Sequence, residues 1–272
     1  MSATGVPARP KAYLMANQSE KYGTLWSREE LILAFELYCR IPFRTTRATN
    51  PEVIWLAHLI GRTPAAMARK LGNFGAFDPE LKKRNIGGLP HGSKLDGEIW
   101  NEFHRDWSGL VSTAHTLRET LWQEVGAPAA PLSLPTGPSE RAVTARQRLH
   151  QAFFRQAVLS SYEYRCCITG LPIPDALIAS HIIPWSVDRK LRANPANGLS
   201  LSATFSRLFD SGLMGVDEDL KVCISSALLD NPDPKVQKLL SRYHRKPIRL
   251  PTRFLPDRGC IRWHLRNTFR YA

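Results

Sequence analysis

The 272-residue chain has no apolar run approaching the ~18 residues that a membrane-spanning helix needs. Its first residues, MSATGVPARPKAY, contain no apolar signal region, so a cytoplasmic location is expected. It has no C-x-x-C pair, and its five cysteines are Cys39, Cys166, Cys167, Cys223 and Cys260. That odd number, without metal-knuckle spacing, excludes a four-cysteine zinc site and a paired disulfide framework. Cys166 and Cys167 are adjacent and would face opposite ways on a strand, so reduced, mostly buried thiols are expected. Acid is also scarce: 24 Asp+Glu stand against 37 Lys+Arg, for a net charge of +13. Hydrophobic residues make up 43% of the chain, enough for a core in each of two modest domains.

The basic excess is not spread evenly. Residues 1–130 carry 16 Lys+Arg against 13 Asp+Glu, whereas residues 131–272 carry 21 against 11. Sixteen of those 21 are arginine. Guanidinium binds phosphate through two parallel hydrogen bonds and sheds water readily, so the bias points to nucleic acid as partner. Between the halves, residues 126–139 hold four of the chain's 20 prolines. Such a stretch reads as an extended, semi-rigid linker. The expected organisation is a helical domain over 1–125, a linker over 126–139 and a second domain over 140–272.

Residues 1–24 read as a polar arm, in which Arg9, Lys11 and Lys21 could touch phosphate or simply be solvated. Ser27 with Glu30 three residues on is a capping box ahead of a helix. Pro51 opens a second helix, and Thr63-Pro64 caps and opens a third after Gly61-Arg62. The phrase Trp26-Ser27-x-Glu29-Glu30, with Gly61-Arg62-Thr63 later, resembles Myb-like domains. That resemblance implies a helix-turn-helix unit with Arg62, Arg69 and Lys70 toward DNA; a plain helical packing module is the alternative. Residues 77–96 read as a basic, Gly-rich connector, and 96–125 as one amphipathic helix.

The second half carries the chemistry. Ile178 to Ile183 is apolar apart from Ser180 and His181, and Pro184 ends it, as in a short buried strand. Asn197-Gly198 is a turn, Leu199 and Leu201 alternate with serines as a second strand, and Phe205, Leu208 and Phe209 recur at helical spacing. A neutral imidazole at His181 could take a proton from water, Asn197 could pin the loop, and Asp210 could hold a hard divalent cation. The same residues would also suit a buried histidine, an Asn-Gly turn and a helix-end aspartate in a small α+β domain.

Taken together, Cys166-x-Ile168-Thr169-Gly170, Ser180-His181-Ile182-x-Pro184-Trp185, Asn197-Gly198-Leu199 and Phe209-Asp210-x-Gly212 resemble the HNH nucleases, in a restriction-type branch. The likeness spans roughly residues 145–272. It implies an α+β protein in which a helical N-terminal domain joins a ββα-metal nuclease domain. It also implies His181 as general base, Asn197 as loop brace, Asp210 and Ser206 as metal positions, and Arg207 toward DNA. The implied activity is Mg²⁺- or Mn²⁺-dependent hydrolysis of double-stranded DNA to 5′-phosphate ends in restriction or defence, with a homodimer as one route to double-strand cuts. One departure matters: nine residues after Asn197, where the family carries His, Asn or Asp, this chain has Ser206. A neutral hydroxyl is a weak ligand, so a DNA-binding protein of low or no activity is the alternative.

Overall fold

The structure, a computed structural model, describes residues 21, 23–86, 88, 92–124 and 139–270. Most of the N-terminal arm, with Arg9 and Lys11, lies outside the described residues, as does the proline-rich stretch apart from Ser139.

Local capping chemistry starts the first three helices where the sequence predicts. The Ser27 hydroxyl accepts from Glu30 N, and the Glu30 carboxylate accepts from Ser27 N, which opens α1 (Arg28–Arg40). Asn50 caps α2 (Pro51–Leu59) and Thr63 caps α3 (Pro64–Gly75), each with proline at the first position. Two regions differ from expectation. Asp78 accepts from Glu80 N and Leu81 N and nucleates a short α4 (Pro79–Lys83) inside the predicted connector. The single helix expected over 96–125 is two, α5 (Lys94–Phe103) and α6 (Trp107–Glu124), parted at His104–Asp106. α1 is the central element: every residue from Glu30 to Cys39 is buried, and α2, α3, α5 and α6 pack round it.

The second half opens with α7 (Ser139–Ser161). A hairpin of β1 (Leu177–His181) and β2 (Gly198–Ser202) leads directly into α8 (Ala203–Asp210). A second hairpin, β3 (Met214–Val216) with β4 (Val222–Ile224), precedes α9 (Ser226–Leu229), α10 (Pro234–Ser241) and α11 (Arg258–Asn267). Mixed helices and two small antiparallel sheets make this an α+β protein, as expected.

The core is shared between the two halves of the chain. α7 packs on α1, and the buried cluster round α1 takes in Phe153, Ala157, Ala193 and Phe254. The deepest bolt is Arg253, wholly buried. It donates to the Tyr38 and Ile41 carbonyls at the C-terminal end of α1 and lies over the Tyr38 ring. Helix-end carbonyls lack partners within their own helix, and their dipole favours a cation there. α11 is pinned by His264, buried flat against Phe209 with ring centroids 3.8 Å apart. Burial holds that imidazole down to about 4, hence neutral near pH 7.

Candidate active site

The site grows from the first hairpin. β1 and β2 pair antiparallel, with His181 opposite Gly198 and Ser180 opposite Leu199. Side chains alternate along a strand, so these two pairs face opposite ways. The His181–Gly198 pair faces α7. A Cβ on Gly198 would stand 2.4 Å from a Val158 methyl, so only glycine lets α7 lie this close. The Ser180–Leu199 pair faces α8, where Leu199, Leu201, Phe205 and Phe209 form one buried cluster.

His181 is half-buried and tightly set. Its ring stacks on Phe154 of α7 at 3.6 Å between centroids, and the Trp185 ring meets it edge-on at 5.6 Å. Its Nε2 lies 3.0 Å from the Arg192 carbonyl. A carbonyl only accepts, so Nε2 must carry the proton, and the neutral ring's lone pair sits on Nδ1. Burial pushes the imidazole below its ordinary 6.5, and the Arg192 carbonyl opposes that more weakly. A neutral ring with a fixed tautomer is the state a proton acceptor needs at neutral pH.

Asn197 lies on the 3-10 turn that leads into β2 and is 1% exposed. Its Oδ1 accepts from Ile183 N at 2.8 Å, and its Nδ2 donates to the Ile183 carbonyl at 3.0 Å and the Leu191 carbonyl at 3.4 Å. One side chain thus ties both ends of the 183–191 loop, and Arg192, which orients His181, follows at once. Asn197→Ala strands buried backbone groups at about 1–3 kcal/mol each, so thermal unfolding should come at a markedly lower temperature. Asn197→Asp keeps the acceptor and loses the donor. It should recover only part of the unfolding temperature, and equal recovery to wild type would show that the donor half of the clamp is idle.

On the α8 face, the Ser180 hydroxyl donates to the Ser206 hydroxyl at 2.9 Å, and both serines are buried. Ser206 in turn hydrogen-bonds Asp210 one turn on. Burial of part of its surroundings raises the Asp210 carboxyl, while Arg207 and the Ser206 bond pull it back down. The structure therefore brings Ser180, Ser206 and Asp210 together and puts His181 on the other side of the strand. Among the described residues, no three His, Cys, Asp or Glu side chains gather where an ion could sit. The donors on offer are one exposed carboxylate with a hydroxyl behind it. They fit a hard cation that keeps most of its water, and do not fit one caged by protein.

Residues 166–217 match the family model described as HNH endonuclease. The match covers about one fifth of the chain, and it takes in β1, β2, α8 and β3. It supports a nuclease-type hydrolase acting on DNA, and HNH nucleases generally use a divalent metal ion. No curated protein matches the chain.

The cations expected to face DNA divide sharply. Arg207 and Arg69 are exposed. Arg62 and Lys70 are not available, which corrects the expectation for both. Arg62 is 6% exposed, donates to the Glu30 carboxylate and to the carbonyls of Lys21, Thr24 and Leu25, and lies 4.8 Å over Trp26. Lys70 gives both its bonds at 3.0 Å to the fully buried Asp96. A charge left in the interior needs an opposite partner, so these two hold helices together.

Sequence reasoning also missed part of the site. A cavity of about 210 Å³ opens beside His181, lined by Gln151, Phe154 and Arg155 of α7, Ile178 and Ala179 of β1, and Trp185. Arg155 is held by the Leu177 carbonyl at 2.8 Å. Its place in an Arg-rich helix is visible in the sequence, but its position beside His181 depends on how α7 crosses the hairpin.

Proposed function

We propose that this chain is an endonuclease of the HNH type that hydrolyses phosphodiester bonds in double-stranded DNA, with His181 as general base. The observation that carries the reading is the fixed tautomer of His181, with Nε2–H on the Arg192 carbonyl and the Nδ1 lone pair free for a proton, beside an open cavity. A water in that cavity would lose its proton to Nδ1 as its oxygen attacks phosphorus and the bond from phosphorus to the 3′-oxygen breaks, which leaves a 5′-phosphate and a 3′-oxygen that takes a proton from solvent. Arg155 and Trp185 at the cavity wall would position the strand, and Phe154 would keep the ring from turning. Asp210, with Ser206 behind it, is where a divalent ion such as Mg²⁺ or Mn²⁺ would be held, and when bound it would supply positive charge to the phosphate.

In this reading residues 1–125 form the DNA-reading part. α2 and α3, joined by a short turn with Gly61 at φ +69°, act as a helix-turn-helix that presents Arg69. Residues 140–272 form the cutting part, with Arg207 on the phosphates. One such centre cuts one strand, so a double-strand break takes a second copy, as in a homodimer, or a second visit. The motif resemblance supports a restriction or defence role in the cytoplasm. A second reading, a DNA-binding protein of little activity, is favoured by the Ser180–Ser206 pair and by the placing of base and carboxylate on opposite strand faces. Plasmid nicking with Mg²⁺ or Mn²⁺, set beside gel-shift binding in EDTA, separates them. Metal-dependent nicking supports the nuclease, whereas binding without nicking supports the second reading.

A further inference from the structure

We propose that a second concavity, on the Arg44–Asn50 loop of the N-terminal half, is a seat for a backbone phosphate of the duplex. This rests on the nucleic-acid reading above but concerns residues to which that reading gives no role. The concavity measures about 330 Å³ and is lined by Arg44, Thr45, Arg47, Thr49 and Asn50.

The first argument is which cations remain free. In the N-terminal half Arg62 and Lys70 are spent on buried carboxylates, and Arg40 is held by Glu36 and Glu52. Arg28, Lys83 and Lys94 pair with surface glutamates. Arg47 is exposed, and its guanidinium has no hydrogen bond or ion pair among the described residues. Arg44 has one pair, with Glu163 at 3.2 Å, and its side chain is still 67% exposed. The segment 41–51 contains no acidic residue. Glu52, the next acid along the chain, is engaged by Arg40 at 2.6 Å.

The second argument is that the loop is already shaped. Thr45 N and Thr46 N donate to the Pro42 and Phe43 carbonyls, and Asn50 N donates to the Arg47 carbonyl. Asn50 Nδ2 closes the turn onto the Thr45 carbonyl at 2.9 Å, while its Oδ1 caps α2. Arg44, Arg47 and Thr49 thus line a hollow whose backbone needs no ordering when a ligand enters. A pre-formed site loses little entropy on binding. Guanidinium with hydroxyl donors is the chemistry that recognises a phosphodiester, and it positions a duplex without reading its sequence.

The test is duplex binding by the full chain in EDTA, with salt varied from about 50 to about 200 mM, where each lost phosphate contact lowers the slope of log K against log salt by about 1. Arg47→Ala is expected to lower the slope by that amount, equally on unrelated sequences, and Arg44→Ala with Arg47→Ala by about twice as much. Arg47→Lys should keep the wild-type slope, because the charge stays. Because the Arg47 side chain bonds no other described residue, the unfolding midpoint of Arg47→Ala and Arg47→Lys should match wild type. An unchanged slope in folded Arg47→Ala overturns the proposal and leaves the nuclease reading standing. A wild-type chain that binds no duplex at low salt removes both. Weakened binding to single-stranded RNA with duplex binding intact overturns the duplex as occupant.

Discussion

Replacing His181 with Ala is expected to slow plasmid nicking by about 10²–10⁴-fold, the usual cost of losing a general base, while duplex affinity in EDTA stays near wild type. The separation of the two effects is the informative part. The imidazole's Nε2 is occupied by the Arg192 carbonyl and its face by Phe154, which leaves Nδ1 as the nitrogen that the proposed role would use. A ring that mainly gripped phosphate would lose binding and cleavage together. The pH profile supplies a second readout. Burial holds the imidazole below 6.5, so the ring stays neutral as pH falls through that value. Nicking should persist into mildly acidic buffer and decline only once the ring takes up its proton at lower pH. Wild-type nicking by the Ala variant would remove His181 from the mechanism.

Arg253→Met should cause a large loss of stability, roughly 3–5 kcal/mol, because two buried carbonyls lose their donor at about 1–3 kcal/mol each and the replacement fills the space imperfectly. The residue joins the end of α1 to the segment before α11: Nη2 reaches the Ile41 carbonyl at 2.6 Å, and the guanidinium carbon lies 4.7 Å from the Tyr38 ring centroid and 5.3 Å from that of Phe254. Chemical denaturation with fluorescence detection reads the loss directly. The same geometry bears on the two-part organisation. A fragment starting at residue 140 would carry Phe153, Phe254 and Arg253 without the α1 surface that covers them. Its expected behaviour is therefore poor solubility rather than independent folding. Wild-type stability in Arg253→Met, or a well-folded 140–272 fragment, would show that the shared core contributes little.

What could be read from the sequence was what neighbouring residues decide among themselves. Ser27 and Glu30 are three residues apart, Asn50 precedes Pro51 and Thr63 precedes Pro64, so the starts of α1, α2 and α3 follow from contacts inside one helical turn. The ββα order followed likewise from the apolar run of residues 178–183, the alternation of residues 199–202 and the helical spacing after it. The α4 turn went unseen because a run of basic and glycine residues masked a local Asp78 cap. The fate of individual charges was another matter. Arg62 and Lys70 look like DNA-facing cations until Glu30 and Asp96, 32 and 26 residues away, are folded against them. Arg253 looks like one more arginine of a basic half, yet it is buried by carbonyls more than 200 residues earlier. His181 acquires its stacking partner from α7, and Ser180 its partner from α8. Spacing along the chain says which residues can share a face, and only the packing of elements distant in sequence decides what that face meets. A cation becomes structural or free at that step, because an ion pair in the interior requires a partner that local sequence does not supply.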